Sequence, residues 1–184
     1  LAYPALRGAN QLLNASAVLT ALEALRERLP VSMQAVRQGL MLVEIPGRFQ
    51  VLPGRPTIVL DVAHNPQAAG VLAENLSNMG FYPETHVVIG MLADKDVAAV
   101  LKLLKPRADH WYFATLPGPR GLPAHELQRM WQEISGETSG KCFDSPAAAL
   151  RAAREQADEG DRIVALGSFL VVADLLNEIA AERK

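Results

Sequence analysis

The residues best suited to chemistry stand together in the run Asp-Val-Ala-His-Asn-Pro that begins at Asp61. Asp61 offers a carboxylate, His64 an imidazole and Asn65 an amide, three groups that can bind a polar ligand or orient a reacting group. The apolar, β-branched run at 57–60 predicts a buried strand before them, and 67–79 predicts a helix after them, with Asn65 as its N-cap. They therefore stand at the carboxyl end of a strand, where open α/β sheets bind ligands. The alternative is that Asp61 and Asn65 only complete the hydrogen bonds of a turn and a helix cap.

Polar residues also follow the other predicted strands, namely Asp94, Lys95 and Asp96, then Arg120, then Ser168. In a parallel sheet the carboxyl ends of the strands meet at one edge. Together with the group at Asp61 this makes four polar groups at one edge, which favour a binding site over capping alone.

The sequence has no Gly-x-x-x-x-Gly-Lys-Ser/Thr loop and no Gly-x-Gly-x-x-Gly after the first strand. Neither a self-sufficient phosphate-transfer site nor a dinucleotide fold is therefore supported.

We expect no metal site in this chain. His86, His110 and His125 are scattered along the sequence without the spacing of metal ligands. The single cysteine, Cys142, excludes an internal disulfide and a cysteine zinc cluster. Cys142 lies in a strand-like run, so we expect it to be a buried structural thiol.

The elements that position these residues alternate between strand and helix. Predicted strands at 57–60, 85–91, 110–115, 142–143 and 162–166 each precede a predicted helix, at 67–79, 97–105, 124–133, 146–157 and 169–181. This alternation predicts an α/β fold with right-handed crossovers and a mostly parallel sheet that is covered by helices on both faces.

The first 45 residues differ from the rest, and we place a domain boundary near position 45. Residues 10–28 predict one long helix with a broad apolar face, and 33–40 predict a second helix that ends near Gly39. No strand separates the two helices, so they cannot belong to the alternating unit at 46–184. Their apolar side chains need another surface, either on the main domain or outside the chain.

Composition bounds the class of protein. The chain has 184 residues and a net charge of −2, which implies no nucleic-acid or membrane surface. No segment is long and apolar enough to span a bilayer. The chain starts without methionine and without a signal-peptide pattern, so we expect a chain cut out of a longer one.

Five motifs in order carry a resemblance to a known family. They begin at Arg7 (Arg-Gly-Ala-Asn-Gln-Leu-Leu-Asn-Ala), Pro46 (Pro-Gly-Arg-Phe-Gln), Asp61 (Asp-Val-Ala-His-Asn-Pro), Gly90 (Gly-Met-Leu-Ala-Asp-Lys-Asp) and Gly167 (Gly-Ser-Phe). Together they resemble the Mur ligase superfamily, and most closely its folate branch, the dihydrofolate synthase/folylpolyglutamate synthases. One motif alone is a weak signal, but the ordered set is specific.

The resemblance implies an ATP-dependent ligase with an N-terminal ATPase domain and a Rossmann-like C-terminal domain. It would be a cytoplasmic monomer whose partners are ATP, L-glutamate and dihydropteroate or folate, with an acyl phosphate as the intermediate. The Mg²⁺ that the reaction needs would be held by the ATPase domain, of which residues 1–45 resemble only the last helices. The isolated chain should therefore be inactive.

The resemblance also assigns roles to individual residues. Gln11 and Asn14 match an amide pair that faces the adenine. Arg48 and Asp61 match by position the pair that contacts ATP. Their chemistry is compatible with that role, since a guanidinium suits phosphate and a carboxylate can accept from ribose hydroxyls. His64 matches a histidine near the reacting centre.

Lys95 and Ser168 match positions that we assign to the carboxylates of the incoming glutamate. The alternatives are that Lys95 lies on a solvated helix turn and that Ser168 caps a helix. Asp94 and Asp96 are expected to cap the helix at 97–105.

Two other functions stay open. The first is a Mur ligase that builds peptidoglycan precursors, although the forms of the motifs at Asp61 and Gly90 argue against it. The second is a non-catalytic α/β binding module.

Overall fold

The computed structural model describes residues 4–6 and 8–182. Two helices come first, α1 (Ala9–Ala24) and α2 (Met33–Leu42), followed by strands β1 (Gln50–Leu52) and β2 (Thr57–Leu60). The chain then runs through α3 (Pro66–Ser77), β3 (Thr85–Ile89), α4 (Val97–Leu104), β4 (His110–Ala114), α5 (Ala124–Ser135), β5 (Lys141–Phe143), α6 (Pro146–Gln156), β6 (Arg162–Leu166) and α7 (Phe169–Ala181). None of these described helices is long and apolar enough to cross a membrane.

Within the described residues, six strands form one sheet in the order β1-β2-β6-β3-β4-β5. All neighbours are parallel except β1, which pairs antiparallel with β2. The central strand β6 has buried residues at every position and lies between β2 and β3, as Val164 opposite both Val59 and Val87 illustrates. A strand that is buried on both faces needs a continuous apolar run, which Ile163 to Leu166 supplies.

Helices cover both faces of the sheet, as predicted. The helices α3, α4 and α5 pack on one face, where Leu72 and Trp131 join a core with Val87 and Ile89 of β3. The helices α6 and α7 pack on the other face together with Val88. Because successive strand residues point to opposite faces, a single strand contributes to both cores. The predicted α/β fold class is confirmed.

The helix starts of the main domain follow from local side-chain chemistry. The Asn65 side chain accepts from the Ala68 amide, and Pro66 occupies the first turn, where its missing N–H leaves no bond unmade. Ser145 before α6 does the same. These caps fix the point at which each strand loop turns into its helix.

The N-terminal helices differ from their predicted bounds. The helix α1 ends at Ala24 rather than at 28, because the chain turns before Pro30. The helix α2 continues through Gly39 to Leu42, since glycine inside a helix costs about 1 kcal/mol but does not end it. No residue of α2 is buried, and Leu13 and Leu42 are each 70 % exposed. The boundary near 45 stays a prediction.

Cys142 is exposed, so the prediction of a buried thiol is wrong. It lies on β5, the edge strand of the sheet, where the pattern is exposed at Lys141 and Cys142 and half-buried at Phe143. An edge strand is covered on fewer sides than a central one, and the position of β5 in the sheet could not be read from its sequence.

Candidate functional site

The strand directions place the predicted polar residues at one edge of the sheet. Because β2, β6 and β3 are parallel, the loops that follow them leave at the same edge. Asp61 and His64 follow β2, Ser168 follows β6 and Lys95 follows β3. Arg48 precedes the antiparallel strand β1, so it also stands at this edge.

The four residues that the resemblance assigned to ATP binding line one cavity. A cavity of about 230 Å³ between α1 and α3 is lined by Gln11, Asn14, Arg48 and Asp61. Gln11 and Asn14 are already joined, because the Asn14 amide donates to Gln11 Oε1 over 3.1 Å. The cavity thus combines a guanidinium, a carboxylate and a paired set of amides.

Asn65, whose amide the sequence already indicated as a candidate ligand-binding group, also lines this cavity. The sequence did not point to the other polar walls, which are Asn10 of α1 and Gln67 and Asn75 of α3. Gln67 and Asn75 are amides on the helix that begins directly after the Asp61 motif, and that position is the signal that could have indicated them.

A larger cavity of about 710 Å³ adjoins the first and shares Gly8, Phe49 and Asn75 with it. Its walls include Val51 and Met79 and contain none of the residues predicted to bind a ligand. Size alone does not make a polar-ligand site, so we assign the smaller cavity as the candidate site.

Asp61 has a structural role as well as a place in the cavity. Its Oδ2 accepts from the Phe49 amide over 2.9 Å, and its Oδ1 accepts from the Ala63 amide over 2.7 Å. Burial raises the pKa of Asp61, although the two amides and the positive charge of Arg48 oppose part of that rise. The turn hydrogen bonds suggested by the sequence are therefore present, and each carboxylate oxygen keeps a further lone pair for a ligand.

The turn that presents Arg48 is strained. Phe49 has a φ of 44°, a left-handed conformation that is rare for a bulky residue. Its ring is buried and its amide is held by Asp61, which together maintain the strain. Arg48 itself is exposed, with its guanidinium carbon 5.9 Å from the centre of the Phe169 ring.

His64 is half-buried at the same edge, outside the walls of the 230 Å³ cavity. Its Nδ1 lies 2.8 Å from the Val62 carbonyl oxygen. Because a carbonyl can only accept, Nδ1 carries the proton, and Nε2 of the neutral ring is left as an acceptor.

Lys95 and Ser168 stand at the edge with partners inside the chain. Lys95 Nζ lies 2.9 Å from Asp94, which also accepts a two-pronged contact from Arg120. The hydrogen bonds from Lys95 and Arg120 lower the pKa of Asp94 to about 2. Buried Ser168 caps α7 by accepting from the Leu170 amide over 3.1 Å. Glutamate binding by Lys95 and Ser168 stays a prediction.

Only one of the two predicted caps of α4 is present. Asp96 accepts from the Ala99 amide over 3.1 Å, as expected. Asp94 does not cap the helix, because its carboxylate is engaged by Lys95 and Arg120 instead.

Two of the histidines that are scattered along the sequence come together in the fold. His86 and His110 occupy opposed positions on β3 and β4, and their rings stack with centres 4.6 Å apart. Glu84 joins them, so that one ligand atom from each residue lies within 4.8 Å of the others. His125 lies apart, beside Glu126. This cluster lies at the amino ends of the strands, away from the candidate site.

Comparison with known proteins places this geometry in a family. The sequence profile of the family described as "Mur ligase, glutamate ligase domain" matches residues 47–169. The dihydrofolate synthase/folylpolyglutamate synthase of Escherichia coli K12 is 42 % identical over 165 residues, which are 89 % of this chain and 38 % of that protein.

Solved structures agree with the sequence relatives. E. coli FolC in complex with DHPP and ADP superposes with a TM-score of 0.84 at 40 % identity, covering 93 % of this chain and 39 % of that one. A bifunctional folylpolyglutamate synthase/dihydrofolate synthase with Mn, AMPPNP and L-glutamate bound gives 0.84 at 38 % identity, covering 98 % and 41 %. The chain spans about two fifths of the length of these relatives. Because the profile matches residues 47–169, which include the sheet together with Arg48 and Asp61, this chain belongs to the Mur ligase family, in its glutamate ligase domain.

Proposed function

We propose that this chain is the C-terminal domain of an ATP-dependent ligase that adds L-glutamate to dihydropteroate and to folates. The observation that carries the proposal is the convergence of Gln11, Asn14, Arg48 and Asp61 on one cavity at the carboxyl edge of the sheet. The relatives that bear these names, and the ADP, AMPPNP, Mn and L-glutamate bound in their structures, support it.

The residues that are present fit a nucleotide. The forked donors of Arg48 match a phosphate group, and the free lone pairs of Asp61 can accept from ribose hydroxyls. The paired amides of Gln11 and Asn14 offer the donor and acceptor that an adenine edge requires. Binding of ATP by these four groups would hold its phosphates at the rim where His64 stands.

ATP, when bound with Mg²⁺, would supply its γ-phosphoryl group: the substrate carboxylate oxygen would bond to the γ-phosphorus, the bond to ADP would break, and ADP would leave behind an acyl phosphate. The neutral glutamate amine would then attack the acyl carbon, so that the C–N bond forms, the C–O bond breaks, inorganic phosphate leaves and the nitrogen gives up one proton. Because His64 Nδ1 donates to the Val62 carbonyl, Nε2 would be the ring atom of His64 that can accept a proton at this rim. For Lys95 to bind a glutamate carboxylate, its ammonium group would have to contact that carboxylate and the carboxylate of Asp94 at the same time.

We assign residues 1–45 to the preceding ATPase domain and 46–184 to the Rossmann-like domain. The exposed apolar side chains of α1 and α2, such as Leu13 and Leu42, support a partner surface outside this chain. That ATPase domain would provide the Mg²⁺ ligands, so the isolated chain should not turn over. We further propose a cytoplasmic monomer that binds neither nucleic acid nor membrane.

A phosphate-release assay tests the proposed substrates. The proposed full-length ligase is supplied with ATP and L-glutamate, and with dihydropteroate, tetrahydrofolate or a UDP-muramoyl substrate. We expect release only with the two pterin substrates, and none from residues 1–184 alone. Release only with the UDP-muramoyl substrate would assign the chain to peptidoglycan synthesis, and no release with any substrate would favour a binding module.

A further inference from the structure

The loop between β4 and α5 carries an arginine to which the proposed function assigns no role. Arg120 lies in this loop at the carboxyl edge of the sheet, and its side chain is 65 % exposed. Because β3 and β4 are parallel neighbours, the loop leaves the sheet beside the loop that carries Asp94 and Lys95. The two loops together present two cations and one carboxylate to solvent.

Backbone hydrogen bonds hold these two loops against each other. The Ala93 amide donates to the Arg120 carbonyl over 2.9 Å, and the Leu122 amide donates to the Met91 carbonyl over 3.0 Å. Between these bonds the loops form an antiparallel bridge. At Gly121 an added Cβ would lie 2.0 Å from a backbone carbonyl oxygen, so the turn closes too tightly for a side chain. The backbone therefore fixes where Arg120 stands.

The cluster carries more positive than negative charge. Asp94 accepts from Lys95 Nζ over 2.9 Å and from Arg120 Nη2 over 2.9 Å. These two hydrogen bonds lower the pKa of Asp94 to about 2, so its carboxylate is ionised at neutral pH. One carboxylate thus faces two cations, and in the part of the chain that the structure describes neither cation pairs with another acidic group.

Asp94 occupies only one side of the Arg120 guanidinium. Nε donates to Asp94 over 3.3 Å and Nη2 over 2.9 Å, whereas Nη1 makes no hydrogen bond with any described residue. A guanidinium has five N–H donors in a fixed fork, so one side can bind Asp94 while the other binds a second carboxylate. The exposed Nη1 of Arg120 is therefore free to bind a carboxylate from solution.

The order of the strands gives the direction in which a substrate lies along this edge. The loops follow one another in the order β2, β6, β3, β4. Asp61 of the nucleotide cavity follows β2, so Arg120 stands three strand spacings away, or about 14 Å. The reacting amine of glutamate must face the acyl phosphate, on the nucleotide side. Its side-chain carboxylate lies farther from the amine than its α-carboxylate does, and so points towards β4.

We propose that Arg120 binds the side-chain carboxylate of the incoming L-glutamate and so selects glutamate over neutral and shorter amino acids. This assignment rests on the proposed function, because it names a further residue of the same ligase site. Asp94 is a positioning residue, since its carboxylate holds the cations of Arg120 and Lys95 side by side.

Steady-state kinetics of the proposed full-length ligase test this role of Arg120. L-Glutamate, L-glutamine and L-aspartate are compared as substrates of the wild type and of Arg120→Ala. We expect the KM for L-glutamate to rise at least about tenfold, and the preference in kcat/KM for glutamate over glutamine to fall by about the same factor. The KM for ATP should stay within about twofold, because Arg120 lies outside the nucleotide cavity. Arg120→Lys should recover part of the preference, since it keeps a cation.

The matched control is Arg129→Ala, which removes an exposed arginine that pairs with Glu126 and Glu133 on α5 and should leave all of these constants unchanged. The urea midpoint of Arg120→Ala should equal that of the wild type, because exposed ion pairs add little stability.

Three results with Arg120→Ala would overturn the assignment. They are an unchanged KM for L-glutamate, an equal rise in the KM values for glutamate and ATP together with a lower urea midpoint, and a loss that Arg129→Ala reproduces. In each of them the wild type still uses L-glutamate, so the proposed function would stand. A wild-type ligase that does not use L-glutamate would instead refute the proposed function, and this assignment with it.

Discussion

Replacing Arg48 with alanine should lower the turnover of the proposed full-length ligase at least about tenfold, equal to about 1.4 kcal/mol of transition-state stabilisation. Arg48 is exposed and contributes a cation to the candidate cavity, so its loss removes charge that would neutralise a phosphate. The free energy of unfolding should change by no more than about 0.5 kcal/mol, as for other surface substitutions. Steady-state kinetics and urea unfolding measure the two effects.

Arg48 tests the site more cleanly than Asp61. Alanine at Asp61 should also slow turnover about tenfold or more, but it removes the acceptor for two backbone amides and would destabilise the turn. The matched control is Arg55→Ala, an exposed arginine that pairs with Glu159 outside the cavity. Wild-type turnover in Arg48→Ala, or an equal loss in Arg55→Ala, would refute the role of Arg48.

Replacing Gly167 with alanine should destabilise the domain by about 3 kcal/mol or more, which combines backbone strain with overpacking. Gly167 has a φ of 107°, which side chains rarely adopt, and it joins β6 to the capping Ser168. An added Cβ would lie 2.3 Å from the Gly90 carbonyl oxygen, a backbone atom at the end of the neighbouring strand. Urea unfolding, followed by circular dichroism, gives the change.

The control for this effect is Gly70→Ala. Gly70 lies inside α3, and nothing stands within 4 Å of its added Cβ. Alanine there should stabilise the domain by about 0.5–1 kcal/mol, because glycine is a poor helix former. Equal stability of Gly167→Ala and wild type would contradict the prediction, because it would mean that the ends of β3 and β6 can move apart to admit the methyl group at no cost.

The fold could be predicted because each local signal agreed with the next. The apolar run at 57–60, Asn65 as a cap and Pro66 in the first turn define strand, loop and helix without reference to the rest of the chain. Repetition of that pattern predicts a parallel sheet, and a parallel sheet alone is enough to bring Asp61, Lys95 and Ser168 to one edge.

Side-chain partners could be predicted far less well, since they depend on which elements become neighbours. Asp94 pairs with Arg120, 26 positions away, and so does not cap a helix. Cys142 is exposed because β5 is an edge strand of the sheet. The contact of His86 with His110 requires β3 beside β4 in register, although both histidines do stand at the start of a buried strand.

Hydrogen exchange with and without AMPPNP tests most directly the claim that nucleotide binds at the carboxyl edge of this sheet. The proposed full-length ligase is compared in the two states by mass spectrometry. We expect slower exchange in peptides covering 47–50 and 61–68, which carry Arg48 and Asp61, and no change in peptides covering 84–86. Unchanged exchange at 47–50 and 61–68, or protection confined to 84–86, would contradict the account.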